Sequence, residues 1–92
     1  YDFCDRMNVN YDSVRRLFGS DIRIGIGHTA VPGHDDKRGF GGTCFPKDVH
    51  SLVQQMSTVG LNSIVLNSIL WRNETVDRTE RDWQHSKNRA VV

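Results

Sequence analysis

Apolar residues recur along this chain at helical spacing, and the breaks between the runs are punctuated by residues that start or stop helices. Phe3, Cys4 and Met7 fall on one helical face before Asn8-Val9-Asn10 interrupts the pattern. Asn10 suits an N-cap for a second helix, Tyr11 to about Phe18, with Val14, Leu17 and Phe18 facing inward and Gly19 at its end. A third helix is predicted from Pro46 to about Val59, where Val49, Leu52, Val53, Met56 and Val59 repeat at helical spacing and Gly60 supplies the stop. Asn62 or Ser63 opens a long last helix. Its first half, Ile64 to Trp71, is apolar, and its second half, Arg72 to Trp83, carries three arginines and four acids, as an exposed face with i to i+4 pairs would.

Between the second and third helices the pattern lapses. Residues 20 to 45 hold six of the eight glycines and one of the two prolines. They read as a long ordered loop with a short extended piece at Ile22 to Ile26; a loop of that length in a compact domain is usually functional or disordered, and the motif at its end favours functional. The predicted class is therefore all-α: about four helices, the last one long, around a glycine-rich loop. One domain over 1–83 and a polar tail over 84–92 account for the chain. Tyr1-Asp2-Phe3-Cys4-Asp5-Arg6 reads as the end of a helix already under way, so a piece of a longer polypeptide is expected.

Composition narrows the function. Twelve basic and eleven acidic side chains leave a net charge of +1, which gives no electrostatic case for nucleic acid or a membrane surface. The stretch Ile64 to Trp71 is too short to span a bilayer and is interrupted by Asn67 and Ser68. With 92 residues the chain buries a modest fraction of its surface, so a partner is expected to stabilise it. Two cysteines 40 residues apart permit one disulfide, but the setting of Cys44 favours a free thiol and a cytoplasmic location.

That setting is the chemical core of the sequence. Residues 39 to 48 read Gly-Phe-Gly-Gly-Thr-Cys-Phe-Pro-Lys-Asp. Glycines permit close approach of backbone to a ligand, and Pro46 marks the first turn of a helix. Cys44 then sits at a helix N-terminus beside Lys47, the surroundings a nucleophilic cysteine needs, although a cysteine is as often an inert packing residue. Asp48 is either a catalytic carboxylate or an acid that the helix dipole stabilises in the first turn. His28, His34, Asp35, Asp36 and His50 match no zinc spacing, so no metal is expected. Gly25-Ile26-Gly27 lacks the third glycine and the preceding strand of a dinucleotide fingerprint. Cys4 reads as a packing residue. Trp71 and Trp83 read as packing or dimer-contact residues.

With its Arg-Ile-Gly at 23 to 25, its Val-Pro-Gly at 31 to 33 and the ten-residue string, the chain closely resembles the UDP-glucose and GDP-mannose 6-dehydrogenases over roughly residues 1 to 83. These are NAD-dependent enzymes that oxidise a sugar C6 alcohol to a carboxylate, and the matching part is their central helical dimerisation domain. The resemblance implies that Cys44 attacks the C6 aldehyde, giving a thiohemiacetal and then a thioester, and that Asp48 orients or activates the hydrolytic water. It implies that Lys47 contacts NAD and that Gly39, Phe40 and Gly41 lie along the substrate. Arg23 is implied to reach the sugar nucleotide bound by a partner subunit. Each has a plainer alternative: a solvated lysine, a tight turn, a surface ion pair.

The resemblance also marks what these 92 residues do not carry. The family's two Rossmann domains have no counterpart here, nor do its catalytic lysine and asparagine or the threonine and glutamate of its first domain. The expected function is accordingly the nucleophile-bearing segment of a nucleotide-sugar 6-dehydrogenase, with UDP-glucose as substrate, a homodimer as assembly, and no turnover by the segment alone. The alternative is a non-catalytic helical dimerisation module.

Overall fold

The computed structural model describes residues 1–85. Most of the predicted 84–92 tail thus lies outside the described residues. Among those residues the secondary structure is helical, without a strand, and it falls into two compact units, Tyr1–Lys37 and a second that begins at Arg38.

The first unit holds α1 (Asp2–Arg6) and α2 (Tyr11–Gly19). Asn8 turns the chain between them with a positive φ of 57°. The predicted cap at Asn10 is present: its side-chain oxygen accepts from the Ser13 backbone N–H at 2.9 Å, which satisfies one of the orphan donors of the first turn. Tyr11 donates its hydroxyl proton to the Thr29 carbonyl, and Arg15 Nε donates to Thr29 Oγ1 at 2.7 Å. These bonds order the loop without a strand, so the extended piece expected at Ile22 to Ile26 is a series of turns and bends instead. Leu17, expected to face inward, is 74% exposed, whereas Val14 and Phe18 are half-buried.

The second unit contains α3 (Phe45–Thr58) and α4 (Ile64–Arg72), which pack on each other. Val49, Val53 and Met56 form the half-buried stripe of α3, while Leu52 and Val59 stay exposed. Gly60 ends the helix at a φ of 75°, a left-handed conformation that costs glycine little. On α4 the inward positions run Leu66, Leu70, Asn73, the four-then-three step of one helical face.

At Asn73 the α-helix gives way to a π-helical turn, Asn73–Asp77, and the helix ends there. The expected exposed helix from Arg72 to Trp83 is therefore replaced by this turn, a short irregular link and a 3-10 turn at Asp82–His85. Nor is the segment a solvated face. Arg78 and Trp83 are each 1% exposed and Asn73 is 3% exposed. Leu70, Trp83 and Pro46 supply the apolar part of this small core.

Candidate active site

Cys44 stands at the N-cap of α3 and is exposed to solvent; like the half-buried Cys4, it is outside any disulfide. Its carbonyl accepts the first helical hydrogen bond, from Asp48 N–H at 2.8 Å. No side chain caps the helix, and Pro46 occupies its first turn, where a missing N–H costs nothing. The thiol therefore lies at the positive end of a 14-residue helix with no competing carboxylate in the capping position. Thr43 Oγ1 is 3.8 Å from Cys44 Sγ. Lys47 and Asp48 follow within the same turn, paired to each other at 3.5 Å and both largely exposed. Sulfur, carboxylate and ammonium thus gather on one helical turn that opens to solvent.

The glycine loop ahead of Cys44 is held by the residues after α4. Phe40 N–H donates to Asn73 Oδ1 at 2.8 Å, and Asn73 Nδ2 donates back to the Phe40 carbonyl at 2.8 Å. The amide thereby pairs with the Phe40 backbone as a neighbouring strand would. Two residues on, Gly42 N–H donates to Asp82 Oδ2 at 3.1 Å. Arg78 Nε donates to the Arg38 carbonyl at 3.0 Å and Nη1 to Asp82 Oδ1 at 3.1 Å. Phe40 also meets Phe45 edge to face, with ring centroids 6.1 Å apart. The loop is clamped at residues 38, 40 and 42.

This arrangement changes why the glycines are needed. A Cβ on Gly39, whose φ is 67°, would collide with Asn73 Oδ1 and lie 2.9 Å from Asp77 Cβ. A Cβ on Gly41 would collide with Arg78 Nη1 and the Asp82 carboxylate. The space a side chain would take at these two positions is thus filled by Asn73, Arg78 and Asp82 of the chain itself. Burial pushes the Asp82 carboxyl up, but the Gly42 N–H and the Arg78 guanidinium outweigh it and hold the group below the ordinary carboxylate range.

Arg23 belongs to the first unit and is paired locally. Its Nη2 meets Asp21 Oδ2 at 2.6 Å and its Nε meets Asp21 Oδ1 at 3.0 Å, a fork-to-carboxylate geometry on an exposed loop. The side-chain hydrogen bond from Arg23 lowers the Asp21 carboxyl from its ordinary value and raises the guanidinium in return. Of the residues expected in the site, the second unit brings together Gly39, Phe40, Gly41, Cys44, Lys47 and Asp48 on one loop and helix terminus. Among the described residues no cluster of three or more metal-ligating side chains exists, the histidine and aspartate candidates included.

Asn73, Arg78 and Asp82 hold the loop of the candidate site, and the sequence pattern hides them among ordinary polar helix residues. One signal for Asn73 was available: it falls on the apolar stripe of Leu66 and Leu70, at the next inward position.

The model of the UDP-glucose/GDP-mannose dehydrogenase family, central domain, matches residues 1–75 of the chain. The chain belongs to this family. A UDP-glucose 6-dehydrogenase of Pseudomonas aeruginosa is 40% identical over 70 residues, covering 76% of the chain and 14% of the relative. UDP-glucose 6-dehydrogenases of Rickettsia typhi and Rickettsia prowazekii are each 31% identical over 74 residues, covering 79% of the chain and 16% of the relative. The chain therefore spans about a seventh of the length of the curated dehydrogenases it matches. No solved structure matches it. Within the central-domain family the ten-residue loop and the start of α3 fall entirely inside the matched segment, as do Asn73 and the start of the π turn.

Proposed function

We propose that this chain supplies the cysteine nucleophile of an NAD-dependent nucleotide-sugar 6-dehydrogenase that converts UDP-glucose to UDP-glucuronate. The supporting observation is the exposed Cys44 at an uncapped helix N-terminus, with Asp48 one turn later and a clamped backbone loop before it. Cys44 Sγ adds to the C6 aldehyde of the sugar, and the carbonyl oxygen takes up a proton to complete the thiohemiacetal. Oxidation at C6 leaves a thioester on Cys44, and Asp48 accepts a proton from the water that cleaves it. NAD would supply the two-electron acceptor for each of the two oxidations at C6, alcohol to aldehyde and thiohemiacetal to thioester, one equivalent for each. In this chain the exposed Lys47 ammonium, three residues after Cys44 and 3.5 Å from Asp48, fits an anionic cofactor. Gly39, Phe40 and Gly41 lie along the sugar, and Arg23 exchanges Asp21 for a phosphate of the nucleotide held by a partner subunit.

The chain spans about a seventh of the matched dehydrogenases, and the 92 residues are expected to be inactive by themselves. A second reading, a helical dimerisation module, draws on the apolar side chains that α3, α4 and the link between them leave exposed: Val59, Leu61, Ile64, Val65 and Trp71. The two readings coexist in a homodimer. No described helix is long and apolar enough to cross a membrane, and a free, exposed Cys44 suits the reducing cytoplasm.

The test supplies UDP-glucose and NAD to the polypeptide that contains these residues and follows NADH. Loss of NADH formation in Cys44→Ala is expected. Full activity in that variant removes Cys44 from the chemistry. Turnover by the 92 residues alone would overturn the claim that they are inactive.

A further inference from the structure

Asn73 lies 33 residues after Phe40 in sequence, yet its side chain takes both backbone polar groups of that residue. We propose that Asn73 is a positioning residue for the reaction at Cys44: its amide fixes the peptide of Phe40 and so sets the course of the loop that delivers the thiol. The proposal rests on the reading of Cys44 as the nucleophile.

Three independent features carry it. The amide is used to its geometric limit, one acceptor and one donor against one residue, so it specifies an orientation and not merely a contact. Asn73 is 3% exposed, and a buried amide of this kind has no water to replace a lost partner. Gly39 has no room for a Cβ because Asn73 Oδ1 occupies that space, so loop and side chain are mutually fitted. The π turn that starts at Asn73 belongs to the same device. Such turns re-aim side chains locally and recur at functional sites.

The consequence is a mechanical path from the end of α4 to Cys44. Phe40 is held by Asn73, Phe40 meets Phe45 edge to face, and Phe45 begins the helix at whose N-terminus Cys44 stands. Release of the Phe40 peptide loosens the loop on the substrate side of the sulfur while leaving α3 and Asp48 in place.

The experiment compares the chain with its Asn73→Leu and Asn73→Asp variants by amide hydrogen exchange and by iodoacetamide labelling of Cys44. Exchange is expressed relative to the unprotected rate at each pH, with the unsubstituted chain as control for every other titrating group. In Asn73→Leu the Phe40 amide exchanges at least about tenfold faster, while amides in the middle of α3 keep their protection. Cys44 labelling in the same variant changes by about threefold or more. Asn73→Asp gives the discriminating readout. An ionised carboxylate accepts from Phe40 N–H but opposes the Phe40 carbonyl, whereas a protonated carboxyl offers the same donor and acceptor as the amide. The lost donor and the repulsion at the Phe40 carbonyl displace the peptide despite the retained acceptor, so protection of Phe40 in that variant is below that of the unsubstituted chain at neutral pH and recovers as the introduced carboxyl protonates. A buried carboxyl does so above the ordinary aspartate value, where Asp82, held low by its partners, is still ionised.

Unchanged Phe40 exchange in Asn73→Leu overturns the proposal, and so does unchanged Cys44 labelling once Phe40 is released. Should Asn73→Leu fail to fold, absence of acid recovery in Asn73→Asp overturns it instead. Failure of the underlying reading looks different. Cys44 would then label no faster than Cys4 in the unsubstituted chain, whatever Asn73 does to Phe40.

Discussion

Arg78 Nη1 and Asp82 Oδ1 lie 3.1 Å apart with the guanidinium 1% exposed, and the two groups fill the space that a side chain at position 41 would need. This pair links the stability of the molecule to the loop ahead of Cys44. Arg78 Nε reaches the Arg38 carbonyl and Asp82 Oδ2 accepts from Gly42, so either residue lost removes a bond to the backbone of the loop.

Replacing Arg78 by methionine keeps the apolar stem and removes the charge-assisted bonds. Asp82 is a third exposed and water relieves part of its loss, so the expected cost is about 2 kcal/mol, below the full value of a broken buried pair. Arg78→Lys is expected to cost nearly as much, because one ammonium cannot reproduce the Nε and Nη1 directions together. Urea unfolding followed by circular dichroism measures both. Equal midpoints for lysine and arginine would show that charge alone matters.

Gly41→Ala is expected to destabilise by about 1–3 kcal/mol through the collision with Arg78 and Asp82. Gly25→Ala is its control, since nothing lies within 4 Å of a Cβ there and its φ is not positive. Thermal melts of the two variants side by side should separate clearly. Identical melting temperatures would mean that the clamp yields to a methyl group at no cost.

The pH dependence of the loop follows from Asp82. Its carboxyl is held below the ordinary aspartate value of 3.8, so the folded state binds this proton less readily than the unfolded chain does. The stabilisation is therefore present above the unfolded value and is lost as pH falls through the folded one. Protection of the Gly42 amide should stay constant from neutral pH down to about the ordinary aspartate range near 3.9 and collapse below it. A collapse beginning near about pH 6, in the histidine range, would assign the clamp to a different titrating group.

Cys44 is exposed at a helix terminus and Cys4 is half-buried in α1. Alkylation read by peptide mass is expected to modify Cys44 first by an order of magnitude or more, about the difference that exposure and a helix dipole together supply. Equal rates in the folded chain count against a nucleophilic role.

Self-association is expected of a chain that leaves Ile64, Val65 and Trp71 of α4 between 64% and 68% exposed. Sedimentation should show a dimer, and Val65→Lys with Trp71→Glu should return it to monomer. A monomer at high concentration in the unsubstituted chain sinks the homodimer.

Local signals were legible. Asn10 as a cap, Gly60 as a stop and Pro46 in a first turn each act within four residues, and each is where the pattern places it. The ten-residue string likewise puts Cys44 at the start of α3, because Pro46 two residues later marks the first turn by itself. Trp83, read as a packing or dimer-contact residue, is buried, but Arg78 and Asp82 escaped the same reasoning. Their segment has the charge density of a solvated helix, and the partners that bury it, Arg38 and Gly42, lie 40 positions away in sequence. Asn73 sits at an inward position that periodicity assigns to an apolar residue. Only the backbone of Phe40 explains an amide there, and no pattern of side chains encodes a backbone contact. Leu17 and Ile22 mislead in the opposite direction, being apolar yet open to solvent.

The π turn at Asn73–Asp77 makes the number of residues in the turn, more than their identity, the quantity that holds the clamp in register. Each residue of an α-helix advances the next by roughly 100°. Removing one residue between Asn73 and Arg78 would turn everything downstream by about that angle. Asn73 would still face Phe40, but the guanidinium of Arg78 would point away from Arg38 and Asp82. Substitutions at exposed Thr75 or Val76 should therefore pass unnoticed, while loss of either codon would uncouple the two halves of the clamp.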